Sequence, residues 1–114
     1  MNTDTNATES EIFSSFIVRY TFSRERSHPR YYFRLRDASP DTGCEWVVVE
    51  LSTTHEPSSL NSALLSLLLD AFRSGNSVDL AIGTAKKQFF SHPLGPQENE
   101  LVAPLKAISL SFNF

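Results

Sequence analysis

A chain of 114 residues has room for one hydrophobic core, so we predict a single domain over residues 11–114, preceded by a flexible tail over residues 1–10. The apolar fraction of 40% and the charged fraction of 20% are typical of globular proteins and argue against intrinsic disorder. The net charge of −3 excludes a chain that is basic throughout. No apolar run approaches the roughly 20 residues of a membrane-spanning helix, so no membrane span is expected.

The amino terminus is polar and acidic, without the basic region and apolar core of a signal peptide. We therefore expect a cytoplasmic protein, or a secreted one whose leader has been removed from this chain. Cys44 is the only cysteine, which excludes an intrachain disulfide, and we interpret it as an inert thiol.

Three strands are predicted in the first half of the domain. The first runs from Ile12 to Phe22, where apolar and polar residues alternate with a period of two. Its predicted apolar face consists of Ile12, Phe16, Val18, Tyr20 and Phe22. Phe13 and Ile17 interrupt the polar face, so we expect the start of this strand to be covered on both sides. A second strand is predicted over residues 31–35 and a third over residues 45–51, with Trp46 in the core of the sheet. The turn-forming residues 37–43 between them predict a hairpin.

The period then changes to that of a helix. Ser58 or Ser59 can cap it, and Gly75 can end it in the left-handed conformation that follows many helices. Apolar residues recur between these limits at spacings of three and four: Leu60, Ala63, Leu64, Leu67, Leu68, Ala71 and Phe72. Leu65 and Leu69 widen this stripe beyond what one buried face needs, and we predict that they face a neighbouring subunit.

A buried strand over residues 78–82 is predicted next. Residues 84–104 contain three prolines and are interpreted as a long surface loop anchored by Phe89 and Phe90. The last strand is predicted over residues 105–114.

Three strands, one helix and two strands are the element order of the OB-fold. We therefore predict a β-rich α+β domain, a five-stranded Greek-key barrel with one long helix between strands three and four. An unrelated α+β sandwich with the same element order is the alternative.

From the third strand onward the residues resemble the B-subunits of bacterial toxins that deliver one enzyme on a pentamer, of the cholera and subtilase-cytotoxin types. The resemblance covers about residues 45–114 and is most specific at the helix-to-strand junction, LLLDAFRSGNSVDLAI. It implies an OB barrel, a homopentameric ring around the helices, and an outer surface that binds cell-surface glycans. It also implies a subunit without enzymatic activity, on which a catalytic partner subunit can be carried.

The resemblance also implies which residues bind the sugar. Glu50 matches the carboxylate at the strand end near the sugar pocket of the cholera type, and His55 lies in the polar loop after it. The candidate glycan-binding residues are Glu50, Thr54, His55, Lys86 and Lys87. Residues 83–87 hold no tryptophan for a sugar to stack on, unlike the cholera type, so a sialylated or otherwise anionic glycan suits the basic side chains better.

Arginines in the first loop and second strand support a different function, the binding of single-stranded nucleic acid on the second and third strands of an OB-fold. This candidate patch consists of Arg24, Arg26, Arg30, Arg34 and Arg36. Aromatic residues lie among these arginines, but the isoelectric point near 5.5 argues against this function. A structural or adaptor ring without a small ligand is a third alternative.

The sequence contains no phosphate-binding glycine loop, HExxH, CxxC or GxSxG motif, so we predict neither catalytic residues nor a cofactor. His28, His55 and His92 each lie beside or near a proline in a polar stretch, which is typical of exposed turns. We therefore predict no metal site.

Overall fold

The computed structural model describes residues 11–25, 28–50 and 59–110. Within these ranges it contains seven strands and one helix. They are β1 (Glu11–Ser15), β2 (Ile17–Glu25), β3 (His28–Leu35), β4 (Trp46–Glu50), α1 (Ser59–Ser74), β5 (Val78–Ile82), β6 (Lys86–Lys87) and β7 (Leu101–Ser109). The predicted tail, a cap at Ser58 and the last four residues lie outside the described residues.

The strands form one mixed sheet in the order β1-β5-β7-β4-β3-β2, with β6 paired to β7. The β4–β7 pair is parallel, whereas the other pairs are antiparallel. The two ends of this order, β1 and β2, are consecutive in the chain, and only Phe16 separates them. The β-rich class is thus confirmed, although the sheet has seven strands instead of the predicted five and no described ladder closes it between β1 and β2.

The helix, its end and the strand after it agree closely with the prediction. Gly75 adopts φ +72°, and its N–H donates to the Ala71 carbonyl oxygen at 3.0 Å, which ends the helix. Leu68 is fully buried against the sheet, whereas Leu65 and Leu69 are partly buried and pack on the edge of the same core. Packing against the protein's own core therefore explains part of the wide apolar stripe. The contact of Leu65 and Leu69 with another subunit stays a prediction.

The predicted first strand is wrong in two respects. It is interrupted at Phe16, where the chain leaves the ladder with β5 and enters the ladder with β3. The start of the strand is also not covered on both sides: Phe13 and Ile17 are buried as expected, whereas Ile12 is 74% exposed. A register shift between Ile17 and Arg19 changes which alternate residues face the core.

The predicted loop and last strand are also corrected. β6 and the start of β7 both lie within residues 84–104, so the last strand begins at Leu101. Phe89 and Phe90 are exposed and do not anchor this loop. His92 does, because its ring is buried and lies 5.3 Å from that of Tyr32, which contradicts the predicted exposed turn.

Membrane-spanning helices are not found in the described part of the chain, where the helix has 16 residues.

Candidate ligand-binding cleft

The outer face of the sheet, opposite the main core, carries an open cleft of about 900 Å³. Its walls are β3, β4, β7 and the segment of residues 83–88. The floor is mainly apolar and includes Val48, Val102 and Pro104. The polar rim consists of Arg30, Glu50, Asn61, Thr84, Lys86 and Lys106. An apolar floor with a few converging polar groups is typical of a small-ligand site.

Gly83 lets the segment of residues 83–88 approach β7 closely enough to form one wall. A Cβ atom at this position would lie 3.0 Å from Pro104 Cγ and 3.2 Å from Lys106 Cε. The Gly83 N–H donates to the Pro104 carbonyl oxygen at 2.9 Å. A side chain here would therefore push this wall away from the strand.

The strand register places Arg30 directly opposite Glu50. The Arg30 Nε–H donates to Glu50 Oε2 at 2.9 Å, and the Asn61 side-chain amide donates to the Glu50 carbonyl oxygen at 2.6 Å. Hydrogen bonds with Tyr32 and Glu50 raise the pKa of Arg30 above its ordinary value, so the guanidinium stays charged. Both charged side chains remain partly exposed, which leaves them accessible to a ligand.

Two of the five predicted glycan-binding residues, Glu50 and Lys86, line this cleft. Lys87 does not line the cleft, because neighbouring residues of a strand point to opposite sides. Thr54 and His55 lie outside the described residues. Sequence reasoning missed Asn61, which the helix contributes, and Lys106, which β7 contributes.

The predicted basic patch does not form one surface. Arg30 and Arg34 share a face of β3, but each is paired with a carboxylate, Arg34 with Glu100 at 2.8 Å. Arg36 lies 3.9 Å over the Phe16 ring and pairs with Asp37. Arg24 is exposed on β2, and Arg26 lies outside the described ranges.

A second small core closes the other end of this face. The Trp46 indole N–H donates to Glu100 Oε1 at 2.9 Å, and the Gln97 backbone N–H donates to the same oxygen at 2.8 Å. The Arg34 guanidinium lies 5.5 Å from the centre of the Trp46 ring. These contacts tie the segment before β7 to the sheet, so the face is covered at one end and open at the cleft.

The contacts of Glu100 with Trp46, Gln97 and Arg34 depend on pH. Burial alone would raise the pKa of its carboxyl group, but hydrogen bonds from Gln97, Arg34 and Trp46 outweigh burial and lower it. A lowered pKa means that the ionised form stabilises the fold above the ordinary pKa of glutamate. This contribution is lost as the pH falls through the lowered value.

We therefore expect Glu100→Gln to lower the free energy of unfolding by about 1–2 kcal/mol at neutral pH, since it removes one charged partner. The difference from the parent should shrink as the pH falls through the lowered pKa of Glu100, because the parent carboxyl then becomes protonated itself. Urea unfolding of both proteins over a series of pH values from neutral to acid measures this, with exposed Glu98→Gln as the control. A loss that is the same at every pH would contradict the assignment.

Cys44 is a buried free thiol. Burial raises the pKa of Cys44 to about 11, and its thiol donates to the Trp46 carbonyl oxygen at 3.0 Å, so it stays protonated at neutral pH. No three His, Cys, Asp or Glu side chains of the described residues are grouped as metal ligands.

Comparison of the chain with protein-family models, with curated proteins and with solved structures finds no match in any of the three.

Proposed function

We propose that this protein is a non-catalytic, OB-type glycan-binding subunit that assembles into a ring-shaped homo-oligomer, and that the cleft holds the sugar. Support for the OB type comes from the parallel β4–β7 pair, from the single helix between β4 and β5, and from the continuity of β1 with β2. With β1 and β2 counted as one interrupted strand, β3 and β4 become strands two and three. OB-folds bind oligosaccharides and oligonucleotides on these strands and on the adjoining loops.

The observation that carries the glycan proposal is the Arg30–Glu50 pair at the rim. Glu50 Oε2 accepts a hydrogen bond from Arg30, whereas no donor among the described residues is hydrogen-bonded to Glu50 Oε1. A sugar hydroxyl can donate to this oxygen, while the cations Lys86 and Lys106 can contact further hydroxyls or an acidic group of the same glycan. Converging, already ordered polar groups of this kind suit a polyhydroxylated ligand.

Nucleic acid is the less supported ligand of this cleft. Single-stranded nucleic acids stack their bases on exposed aromatic rings, but Tyr32, the aromatic residue lining the cleft, is only 3% exposed. The pairing of Arg30 and Arg34 with carboxylates also weakens a purely phosphate-binding surface.

Support for assembly comes from an exposed apolar surface beside the helix, which we call the β2 apolar surface. It consists of Val18, Tyr20, Phe22 and Phe72. The Tyr20 and Phe72 rings meet edge to face at 5.4 Å, so the surface is continuous from strand to helix. Exposed apolar patches of this kind commonly mark protein contacts, and we assign this one to a second copy of the chain. A pentameric number and a catalytic partner subunit stay predictions.

Glu50→Gln tests the glycan site. We expect binding of the strongest glycan found on an array to weaken by about tenfold or more, because one hydrogen bond to a charged group is worth about 1.5–3 kcal/mol. Calorimetric titration of the parent and the variant gives the two dissociation constants. Glu98→Gln, which removes an exposed carboxylate outside the cleft, serves as the control and should leave binding unchanged.

An oligonucleotide titration at low and high salt completes the test. If the parent binds no glycan but binds single-stranded nucleic acid with an affinity that falls steeply with salt, the glycan proposal is wrong. If a folded Glu50→Gln protein binds the glycan as strongly as the parent does, the glycan site does not lie in this cleft.

A further inference from the structure

Two adjacent phenylalanines protrude from the segment between β6 and β7. Phe89 is 85% exposed and Phe90 is 65% exposed. The backbone that carries them is ordered by hydrogen bonds: the Gln88 N–H donates to the Glu100 carbonyl oxygen at 3.1 Å, and the Asn99 N–H donates to the Gln88 carbonyl oxygen at 2.9 Å. These bonds extend the β6–β7 ladder, so the two rings are presented by a well-defined turn of the chain.

Hydrogen bonds within the segment also order the turn that follows the two phenylalanines. The His92 N–H donates to the Pro96 carbonyl oxygen at 2.8 Å, and the Gln97 side-chain amide donates to the carbonyl oxygens of His92 and Gly95. The buried His92 ring lies against Tyr32 on one side and 5.7 Å from the Phe90 ring on the other. The protein therefore presents two large apolar rings to water from an ordered backbone. Adjacent exposed apolar groups of this kind indicate an interaction site.

Positive charge accompanies the rings. Lys86 and Lys87 precede the rings in the chain, with Gln88 between, and both lysine side chains are exposed. No carboxylate of the described residues lies within 4.0 Å of either ammonium group. Glu98, on the returning arm of the segment, is the nearest acidic residue in sequence after the rings and is also exposed.

We propose that Lys87, Phe89 and Phe90 form a docking tip for the surface of an anionic lipid bilayer, with Lys86 on the neighbouring rim of the cleft adding positive charge beside it. In this arrangement the phenylalanine rings enter the boundary between headgroups and acyl chains, and the ammonium groups contact lipid phosphates or carboxylates. The tip docks on the bilayer surface and does not span it.

The exposure of the rings favours a bilayer over nucleic acid as the partner. A base-stacking ring typically lies on the protein with one face free, whereas a ring that is 85% exposed has almost its whole surface available for insertion into an apolar medium. One tip supplies only a weak anchor, and several tips on one oligomer would act together on the same membrane.

Vesicle co-sedimentation of the full chain tests the proposal. Because the vesicles carry no sugar, the result is independent of the glycan site. We expect binding to vesicles of phosphatidylcholine with phosphatidylserine, little binding to phosphatidylcholine alone, and weakening of the binding by added salt. The double variant Phe89→Ser/Phe90→Ser should lose most of the bound fraction, and Lys87→Glu should lower it without touching the cleft.

Ile12→Ser is the matched control, because it removes an exposed apolar side chain from β1, outside the docking tip. It should bind vesicles as the parent does. Phe89→Trp measures how deeply the tip enters the bilayer. Brominated lipids should quench the fluorescence of the introduced indole, whereas the fluorescence of the buried Trp46 in the parent should change little.

Three results would overturn the proposal: a parent that binds no anionic vesicles, a Phe89→Ser/Phe90→Ser protein that binds them equally well, or an introduced indole that brominated lipids do not quench. Loss of oligonucleotide binding in the double variant, without vesicle binding by the parent, would reassign the tip to nucleic acid.

Discussion

Replacing Trp46 with alanine is expected to lower the free energy of unfolding by about 3–5 kcal/mol, the range observed for large aromatic side chains removed from a core. Trp46 is buried in the second core on the outer face, together with Tyr32 and Val102. Its removal leaves a cavity there and leaves Glu100 without one of its donors. Such a loss is a large part of the roughly 5–15 kcal/mol that stabilises a typical domain.

Urea unfolding followed by circular dichroism measures this effect, since the variant lacks its only tryptophan. Trp46→Phe separates the two causes, because it keeps an apolar ring but removes the indole N–H. We expect this variant to lose less than the alanine variant. A loss below about 1 kcal/mol for Trp46→Ala would show that the outer core contributes little to the fold.

The second large effect concerns assembly. We expect Phe22→Glu to convert the proposed homo-oligomer into monomers, because a carboxylate placed in a contact between subunits must give up its water without gaining a partner. Phe22 is half-exposed within one chain, so the folded monomer should tolerate the change. Native mass spectrometry and size-exclusion chromatography of both proteins measure the state of assembly.

Ile12→Glu is the control for assembly, since Ile12 is also exposed but lies outside the β2 apolar surface. It should assemble as the parent does. A parent that is monomeric at micromolar concentration contradicts the ring altogether, and a Phe22→Glu protein that still assembles places the contact on another surface.

Local sequence signals predicted several features of the fold correctly. The helix and the strand after it depend on contacts between residues close in the chain, and a glycine at Gly75 suits the left-handed conformation found there. The hairpin between β3 and β4 was also correctly predicted, because the turn-forming residues that join these strands are adjacent to both.

The first strand shows where such reasoning fails. Alternation alone predicts one face for Ile12 and Tyr20, yet the interruption at Phe16 and the register shift after Ile17 move these residues to different surroundings. Neither feature leaves a local signal, because each depends on which strand pairs with which.

The candidate site was predictable only in part. Glu50 was named from the resemblance to cholera-type B-subunits, which have a carboxylate at this strand end, and Lys86 from the segment that stands where that type has its tryptophan. Asn61 and Lys106 come from distant parts of the chain, and nothing in their own neighbourhood indicates that they share a cleft with Glu50.

The sequence by itself determined α1, the helix end at Gly75 and β5, because helix periodicity and a left-handed stop act over a few residues. Only the tertiary structure decided which residues line the cleft, which arginines are paired, and that Phe89 and Phe90 are exposed instead of anchoring their segment. These outcomes depend on contacts between residues far apart in the chain, such as Trp46 with Glu100, which are established only when the strands pair.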